Sequence, residues 1–410
     1  MMTDGQILKI GTLFSGIGAF EEALNQLGLP YSIEFACDNG EIELIPLPAK
    51  ERTKYRDLEK RAKTLSEEEK LQYQELRDKI SAINEEIRQR CYQMPTKQER
   101  IEYVDSIYKK YTVNKFNWVK KTYLQNFDVK AEDFHPDVRF LKGSEYENQI
   151  DIIVGGSPCQ SFSNYGKKRG LEDTRGTLFY DYARIIQEAK PKIFIYENVE
   201  SILTNDHRKT WETIEDVLRS LDYNIFHKVI DSADHNFPQK RRRLFLVGFR
   251  HDLAVTEYSF PKEKDLTQTA EQYLEQGDIP EKYYLGEMGF KWITTLEKHQ
   301  HRARVNQSVI GTQTANQQNN WTGDLRIERP KPEHYASDRI FIGKFDFGNG
   351  LEDAVARKLT PRECLNLMGF SPSYNIDGLS DNVVYRQSGN SIVVPVLKDI
   401  ILTLLPYLGE

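Results

Sequence analysis

At 410 residues the chain exceeds an average domain, so two compact units or one large unit with an insertion are expected, and a hydrophobic content of 39% can build a core. No apolar run is long enough to span a bilayer and the opening MMTDGQILKI lacks the basic-then-apolar pattern of a signal peptide, so a soluble, cytoplasmic protein without membrane contact is expected. Four scattered cysteines (Cys37, Cys91, Cys159, Cys364) with no CxxC pair argue against a zinc knuckle or a disulfide framework; a net charge of −6 does not advertise a nucleic-acid binder, although a local basic surface can coexist with an acidic total.

Leu8 to Phe14 reads as a first strand running into Ser15-Gly16-Ile17-Gly18, and Ala19 to Leu27 has helical spacing, stopped by Gly28 and Pro30. Strand, glycine turn and helix open a doubly wound nucleotide-binding fold. The GxGxxG fingerprint is incomplete, which disfavours a nicotinamide site. Ser32 to Cys37 is a second strand ending in Asp38, an acid suited to ribose hydroxyls or a solvated loop residue.

From Gly40 to Val113 charged residues dominate. Leu76, Ile80, Ile83 and Ile87 recur at coiled-coil spacing, and Ser66 with Glu69 and Thr96 with Glu99 form capping boxes. The pattern predicts two or three charged helices packed as an antiparallel hairpin, with a dispensable or stabilising role. Asn117 to Phe127 is amphipathic, and Asp137 to Phe140 reads as a short strand and turn.

The apolar run at Ile150 to Val154 reads as a buried parallel strand. Gly155 and Gly156 let the chain turn, and Pro158 stiffens the approach to Cys159. A cysteine just past a parallel strand sits where open α/β sheets place their chemistry, or is a buried structural thiol. After a basic loop, a helix carries Tyr182, Ile185 and Ile186. Lys192 to Tyr196 is the next strand, ending in Glu197-Asn198-Val199 on the same rim as Cys159. Trp211 to Leu221 is a helix; Tyr223 to Ile230 and Leu244 to Phe249 are strands. Alternation predicts that Arg241 and Arg243 share a face and Arg242 takes the other. Strand–helix alternation is lost from His251 to Leu351, where Gln, Asn and aromatics make either a base reader or a flexible loop. Leu359 to Phe370 is a helix with Pro361 in its first turn; Gln387 to Ser391 precedes a buried last helix, Ile392 to Leu405.

In this order stand FSGIG (14–18), PCQSFS (158–163), TRGTLF (174–179), ENV (197–199), QKRRR (239–243), RKLTPRECLNLMGF (357–370) and QSGNS (387–391). Together they resemble the bacterial DNA (cytosine-5) methyltransferases of restriction–modification type. Thr12 stands where the family usually has Asp, Ala19 where a third glycine is common, and Asp38 where Glu is usual.

The resemblance implies an α/β fold: a doubly wound, mostly parallel sheet of the S-adenosylmethionine-dependent methyltransferase type. Residues 1–39 and 114–260 would form the catalytic and cofactor domain, 40–113 the helical insertion, 261–351 a small target-recognition lobe, and 352–410 the return to the catalytic domain. It implies methyl transfer from S-adenosylmethionine to carbon 5 of cytosine in a short sequence of double-stranded DNA, on a flipped base. Cys159 would be the nucleophile, Glu197 would contact ring N3, Arg241 would steady base and thiolate, Arg243 would help place the loop, and Asn198 would hold it. The cofactor would lie along Phe14, Gly16, Ile17 and Gly18, with Asp38 and Asn39 at the ribose, Asp137 and Val138 at the adenine, and Pro158, Leu178, Asn390 and Ser391 completing the pocket. Gln160, Ser163, Arg175, Gln313 and Gln317 are candidates for DNA contact. A metal-free monomer is expected; a cognate restriction endonuclease is left open. The rivals are a tRNA cytosine-5 methyltransferase and a non-catalytic DNA-binding relative.

Overall fold

The computed structural model describes residues 7–112, 115–158, 178–204, 208–295, 302–316, 318–319 and 321–409. Among them, seven strands form one sheet in the order β3-β2-β1-β4-β5-β7-β6. They are β1 (Leu8–Leu13), β2 (Tyr31–Cys37), β3 (Phe134–His135), β4 (Ile152–Gly155), β5 (Ile193–Val199), β6 (Tyr223–Asp231) and β7 (Arg242–Arg250). β2 and β4 flank β1 and run parallel to it, with Ile10 opposite both Ile33 and Ile152. Only β7 runs against its neighbours β5 and β6. The sheet reverses direction of growth at β1, and doubly wound folds open a crevice at that point, outside the strands' carboxyl ends.

The apolar runs alternate across the sheet. Leu8, Ile10, Ile152, Val154, Ile193 and Ile195 enter one core with α1 (Ala19–Leu27), α5 (Trp118–Leu124) and the final helix. Leu13, Ile153, Phe194 and Tyr196 enter the other with α6 (Leu178–Ala189) and α7 (Lys209–Arg219). A strand buried on both faces needs apolar side chains at consecutive positions, which is why these runs do not alternate with polar residues.

The segment after β2 folds into α2 (Ala49–Lys60), α3 (Glu67–Gln93) and α4 (Lys97–Tyr111). Both capping boxes form; at the first, Glu69 N–H donates to Ser66 Oγ at 3.2 Å. The Lys79–Glu51 ion pair and the Tyr55–Tyr73 ring stack show α2 lying antiparallel on α3. Ile87 and Cys91 pack with Val104 and with Leu44, which precedes α2, and also with Phe140 of the catalytic part. Leu76, Ile80 and Ile83 are only half-buried. The seam is incomplete because α2, at 12 residues, is too short to cover the 27 residues of α3.

Asp137 to Phe140 is not a strand. Asp137 accepts from Arg139 N–H at 3.0 Å and caps a single 3₁₀ turn, and the strand falls earlier, at β3. Beyond β7, a second sheet is made of β8 (Arg304–Val305), β9 (Asp324–Glu328), β10 (Gly343–Asp346) and β11 (Leu351–Lys358), ordered β10-β11-β9-β8. It packs Leu325, Ile327, Ala354 and Ala356 against Leu285, Phe290 and Ile293, the latter two on α8 (Glu287–Thr294). The chain returns through α9 (Pro361–Asn366), α10 (Asp381–Asn390) and α11 (Val394–Leu404). Gln387 to Asn390 is thus the end of a helix of its own.

Gly18 caps α1 at φ 75°, and a Cβ there would stand 2.1 Å from the Phe127 ring. Gly18→Ala should destabilise the fold by about 2 kcal/mol through strain and overpacking, read as a lowered urea midpoint at unchanged slope.

Candidate active site and cofactor cleft

The rim at the carboxyl ends of β1, β2, β4 and β5 gathers Phe14, Asp38, Pro158 and Glu197, and antiparallel β7 begins there with Arg243 opposite Val199. A cleft of about 1540 Å³ opens on this rim. Phe14, Gly16, Ile17, Asp38, Asn39, Asp137, Val138, Pro158, Leu178, Glu197, Asn198, Arg241, Arg243, Asn390 and Ser391 all line it. Gly18 does not; its open side is taken by Phe127.

Glu197 is held tightly. Arg243 Nε lies 3.2 Å from its Oε1, and both side chains are only 16% exposed. Burial raises the Glu197 carboxyl above its usual range, against the lowering pull of Arg243 and Arg241. Gly156 passes so close that a Cβ would meet the Glu197 carbonyl oxygen at 2.3 Å and Oε2 at 3.1 Å. The two catalytic-rim turns therefore pack backbone on backbone. Asn198 locks them: its Nδ2 donates to the Ser157 carbonyl and to Tyr196 Oη, both at 2.9 Å. Tyr196 Oη also shares a hydrogen bond with Ser157 Oγ at 2.9 Å.

The two arginines do different work. Arg242 points outward to Glu200 and the flanking pair points inward, as strand alternation requires. Arg241, however, does not lie free beside Glu197. Its Nη1 donates to the Gln313 carbonyl at 2.8 Å, and its Nη2 to those of Gly389 and Ser391 at 3.1 and 2.7 Å. With its terminal nitrogens so engaged, Arg243 is the arginine that meets Glu197. Burial, with the Arg243 charge beside it, pushes Arg241 down to about 9, so it stays charged at neutral pH.

At the other end, Phe14 and Gly16 adopt φ of 53° and 54°, which swings the Gly16 N–H onto Asp38 Oδ2 at 2.9 Å. The Gly40 N–H donates to Oδ1 at 2.7 Å. Each oxygen keeps a second lone pair, and a Cβ on Gly16 would meet only the Phe14 carbonyl oxygen at 3.9 Å. An open backbone beside a half-satisfied carboxylate fits a ribose diol.

Cys159, Gln160, Ser163, Arg175 and Gln317 lie outside the described residues. Gln313 does not suit base reading: it is 2% exposed, and its Nε2 donates to the Cys364 carbonyl at 3.0 Å. The sequence reading missed Tyr55, Arg77, Ile80, Ser81, Asn84 and Arg88, through which the insertion forms one wall of the cleft. The available signal was the polar set Arg77, Ser81, Asn84 and Arg88, spaced by three and four on one helical face. Among the described residues no cluster of His, Cys, Asp and Glu could hold a metal ion, and no single helix is long and apolar enough to cross a membrane.

Residues 106–405 match the family described as C-5 cytosine-specific DNA methylase. The chain belongs to this family. It is 32% identical to the type II methyltransferase M.HhaI of Haemophilus parahaemolyticus over 290 residues, 68% of this chain and 82% of the relative. It is 35% identical to M.HpaII of Haemophilus parainfluenzae over 269 residues, 64% and 74% of the two chains. Of solved structures, DNMT2 of Spodoptera frugiperda matches with a TM-score of 0.59 at 18% identity, covering 98% of this chain and all (100%) of that one. EhMeth of Entamoeba histolytica matches at 0.58 and 15%, covering 99% and 100%. Those two likenesses are of fold. The family membership makes the protein a C-5 cytosine DNA methyltransferase of restriction–modification type.

Gly156→Ala should leave a cooperative melt but push Glu197 out of register, lowering transfer of labelled methyl groups to DNA about 100-fold.

Proposed function

We propose that the protein methylates carbon 5 of cytosine within a short sequence of double-stranded DNA, through a covalent adduct between Cys159 and a flipped base. The observation that carries this is the buried Glu197–Arg243 pair, set on the rim that also carries Pro158, the residue that precedes Cys159 in the sequence. Carbon 5 is too poor a nucleophile to react unaided, and addition of a thiolate to carbon 6 makes the ring an enamine. Glu197, its carboxyl raised by burial, delivers or shares a proton at N3 as the thiolate adds. Arg243 holds Glu197 and presents positive charge to the base and the thiolate, the role that the sequence reading gave to Arg241. Positive charge there also lowers the thiol pKa. Asn198 fixes the Ser157 carbonyl, two residues before the nucleophile. S-adenosylmethionine, when bound, supplies the electrophilic methyl group that carbon 5 takes up. A water molecule or hydroxide then takes the carbon-5 proton, the C5=C6 bond re-forms as the C6–S bond breaks and expels the Cys159 thiolate, and N3 returns its proton to Glu197.

Phe14, Gly16, Ile17 and Asp38 would hold the cofactor's ribose and adjoining groups, Val138 the adenine, and Pro158, Leu178, Asn390 and Ser391 the rest. Since a base inside a duplex cannot enter this cleft, the target nucleotide is extruded from the stack. Residues 261–351, with the second sheet, would read the groove.

Conversion-based sequencing of plasmid DNA from cells making the protein, beside a Cys159→Ala control, should show protected cytosines in one short motif, absent in the control. No protected motif from protein that binds the cofactor would turn the reading toward RNA or a non-catalytic binder. Burial lifts Asp38 to about 6 against the Gly16 and Gly40 N–H groups that lower it. The ribose hydroxyls need the ionised form, so binding is favoured above that pH and weakens as pH falls through it. The Kd for S-adenosylhomocysteine should rise by up to about tenfold per unit below pH 6, and Asp38→Asn should abolish the slope.

A further inference from the structure

The insertion is built into the wall that faces Val138. Tyr92 Oη donates to Glu188 Oε1 at 2.8 Å and accepts from Arg184 Nη1 at 2.6 Å. Arg184 Nη2 in turn holds the Val138 carbonyl at 2.7 Å. Arg88, on the cleft face of α3, comes within 3.8 Å of Asp181. These contacts place the cleft face of α3 beside the 137–141 segment.

Asp137, the residue that the resemblance would set against the adenine, has no capacity to spare. Its Oδ1 accepts from Arg139 N–H and Nε, each at 3.0 Å. Its Oδ2 accepts from Arg139 Nη2 at 2.6 Å and from Tyr108 Oη, on α4, at 2.7 Å. A carboxylate offers about four acceptor sites, and four donors fill them. The residue is 3% exposed. One helical turn before Arg88, Asn84 lines the same cleft, and its Oδ1 is shut off from solvent with no hydrogen-bond partner among the described residues. Buried acceptors in folded proteins are almost always paired, and an unpaired one on a cleft-lining side chain is met once the side chain turns toward a donor that a ligand brings. An adenine presents one such donor, its 6-amino group, at its outer edge.

We propose that Asn84 of the helical insertion is a cofactor-binding and specificity-determining residue, accepting a hydrogen bond from the adenine amino group while Tyr108 and Arg139 keep Asp137 occupied. The inference deepens the reading of the cleft as an S-adenosylmethionine site and rests on it. The insertion is then a working part of the site, not a dispensable one.

The test is calorimetric binding of S-adenosylhomocysteine and of its analogue lacking the purine 6-amino group, to the full chain. The unaltered protein should prefer the amino-bearing ligand by about tenfold. Asn84→Leu should bind both ligands alike, at the affinity the unaltered protein shows for the analogue. Asn84→Asp, which retains an acceptor, should keep the preference; should Leu prevent folding, Asn84→Ala gives the same readout. A preference that survives Asn84→Leu or Asn84→Ala overturns the assignment while leaving the cofactor reading intact. No binding of S-adenosylhomocysteine by the unaltered protein overturns both.

Discussion

A guanidinium that is taken out of water must be given other acceptors, and Arg241 finds them in three backbone carbonyls from two distant parts of the chain. That requirement draws the segment around Gln313 and the end of α10 onto the start of β7. The contact is close enough that a side chain on Gly389 would lie 2.4 Å from the backbone of Thr314 and Ala315. Gln239 adds a hydrogen bond to the Leu367 carbonyl at 2.6 Å. The position of the cleft's far wall, with Ala315, Asn316, Asn390 and Ser391, thus depends on one buried charge. Arg243, two residues on and on the same face, is the one that pairs with Glu197, while the terminal nitrogens of Arg241 hold those carbonyls.

The opposite wall follows another rule. Tyr108, Tyr92 and Arg88 reach from the insertion to Asp137, Glu188 and Asp181, and Arg139 and Arg184 add donors to the same three acidic groups. The hydrophobic side of the same interface sets Ile87 and Cys91 on Phe140 and Leu44. Apolar burial anchors the block and the polar contacts orient it.

Much of this was legible in the sequence, for identifiable reasons. Strands buried on both faces leave unbroken apolar runs, and the turns after Leu13, Cys37, Gly155 and Tyr196 carry the residues that line the cleft. Alternation along β7 correctly put Arg241 and Arg243 on one side. It could not say which would spend its nitrogens on backbone carbonyls, since those carbonyls lie about 70 and 150 positions away along the chain. Gln313 looked like a base reader because composition reports polarity, not whether an amide is already satisfied inside the protein. The insertion's sequence predicts only a charged antiparallel hairpin, because apolar spacing describes how helices meet one another. The cleft-facing row of Arg77, Ser81 and Asn84 is polar and so leaves no apolar trace, even though Arg77 lies over the Tyr73 ring of its own helix.

The pairing of Cys37 with His135 and of Ala36 with Phe134 joins strands separated by the whole insertion. Closing so long a loop as a random chain would be paid for in entropy that grows only with the logarithm of its length, about 0.6 kcal/mol per doubling. A helical block that folds back toward its own starting point meets part of this cost locally, before β3 docks. The order of assembly is therefore constrained. The helices can form as the chain emerges, whereas the central pairing of β1 with β4 waits for residues more than a hundred positions downstream. The excursion that lengthens the loop also shortens the search for its end.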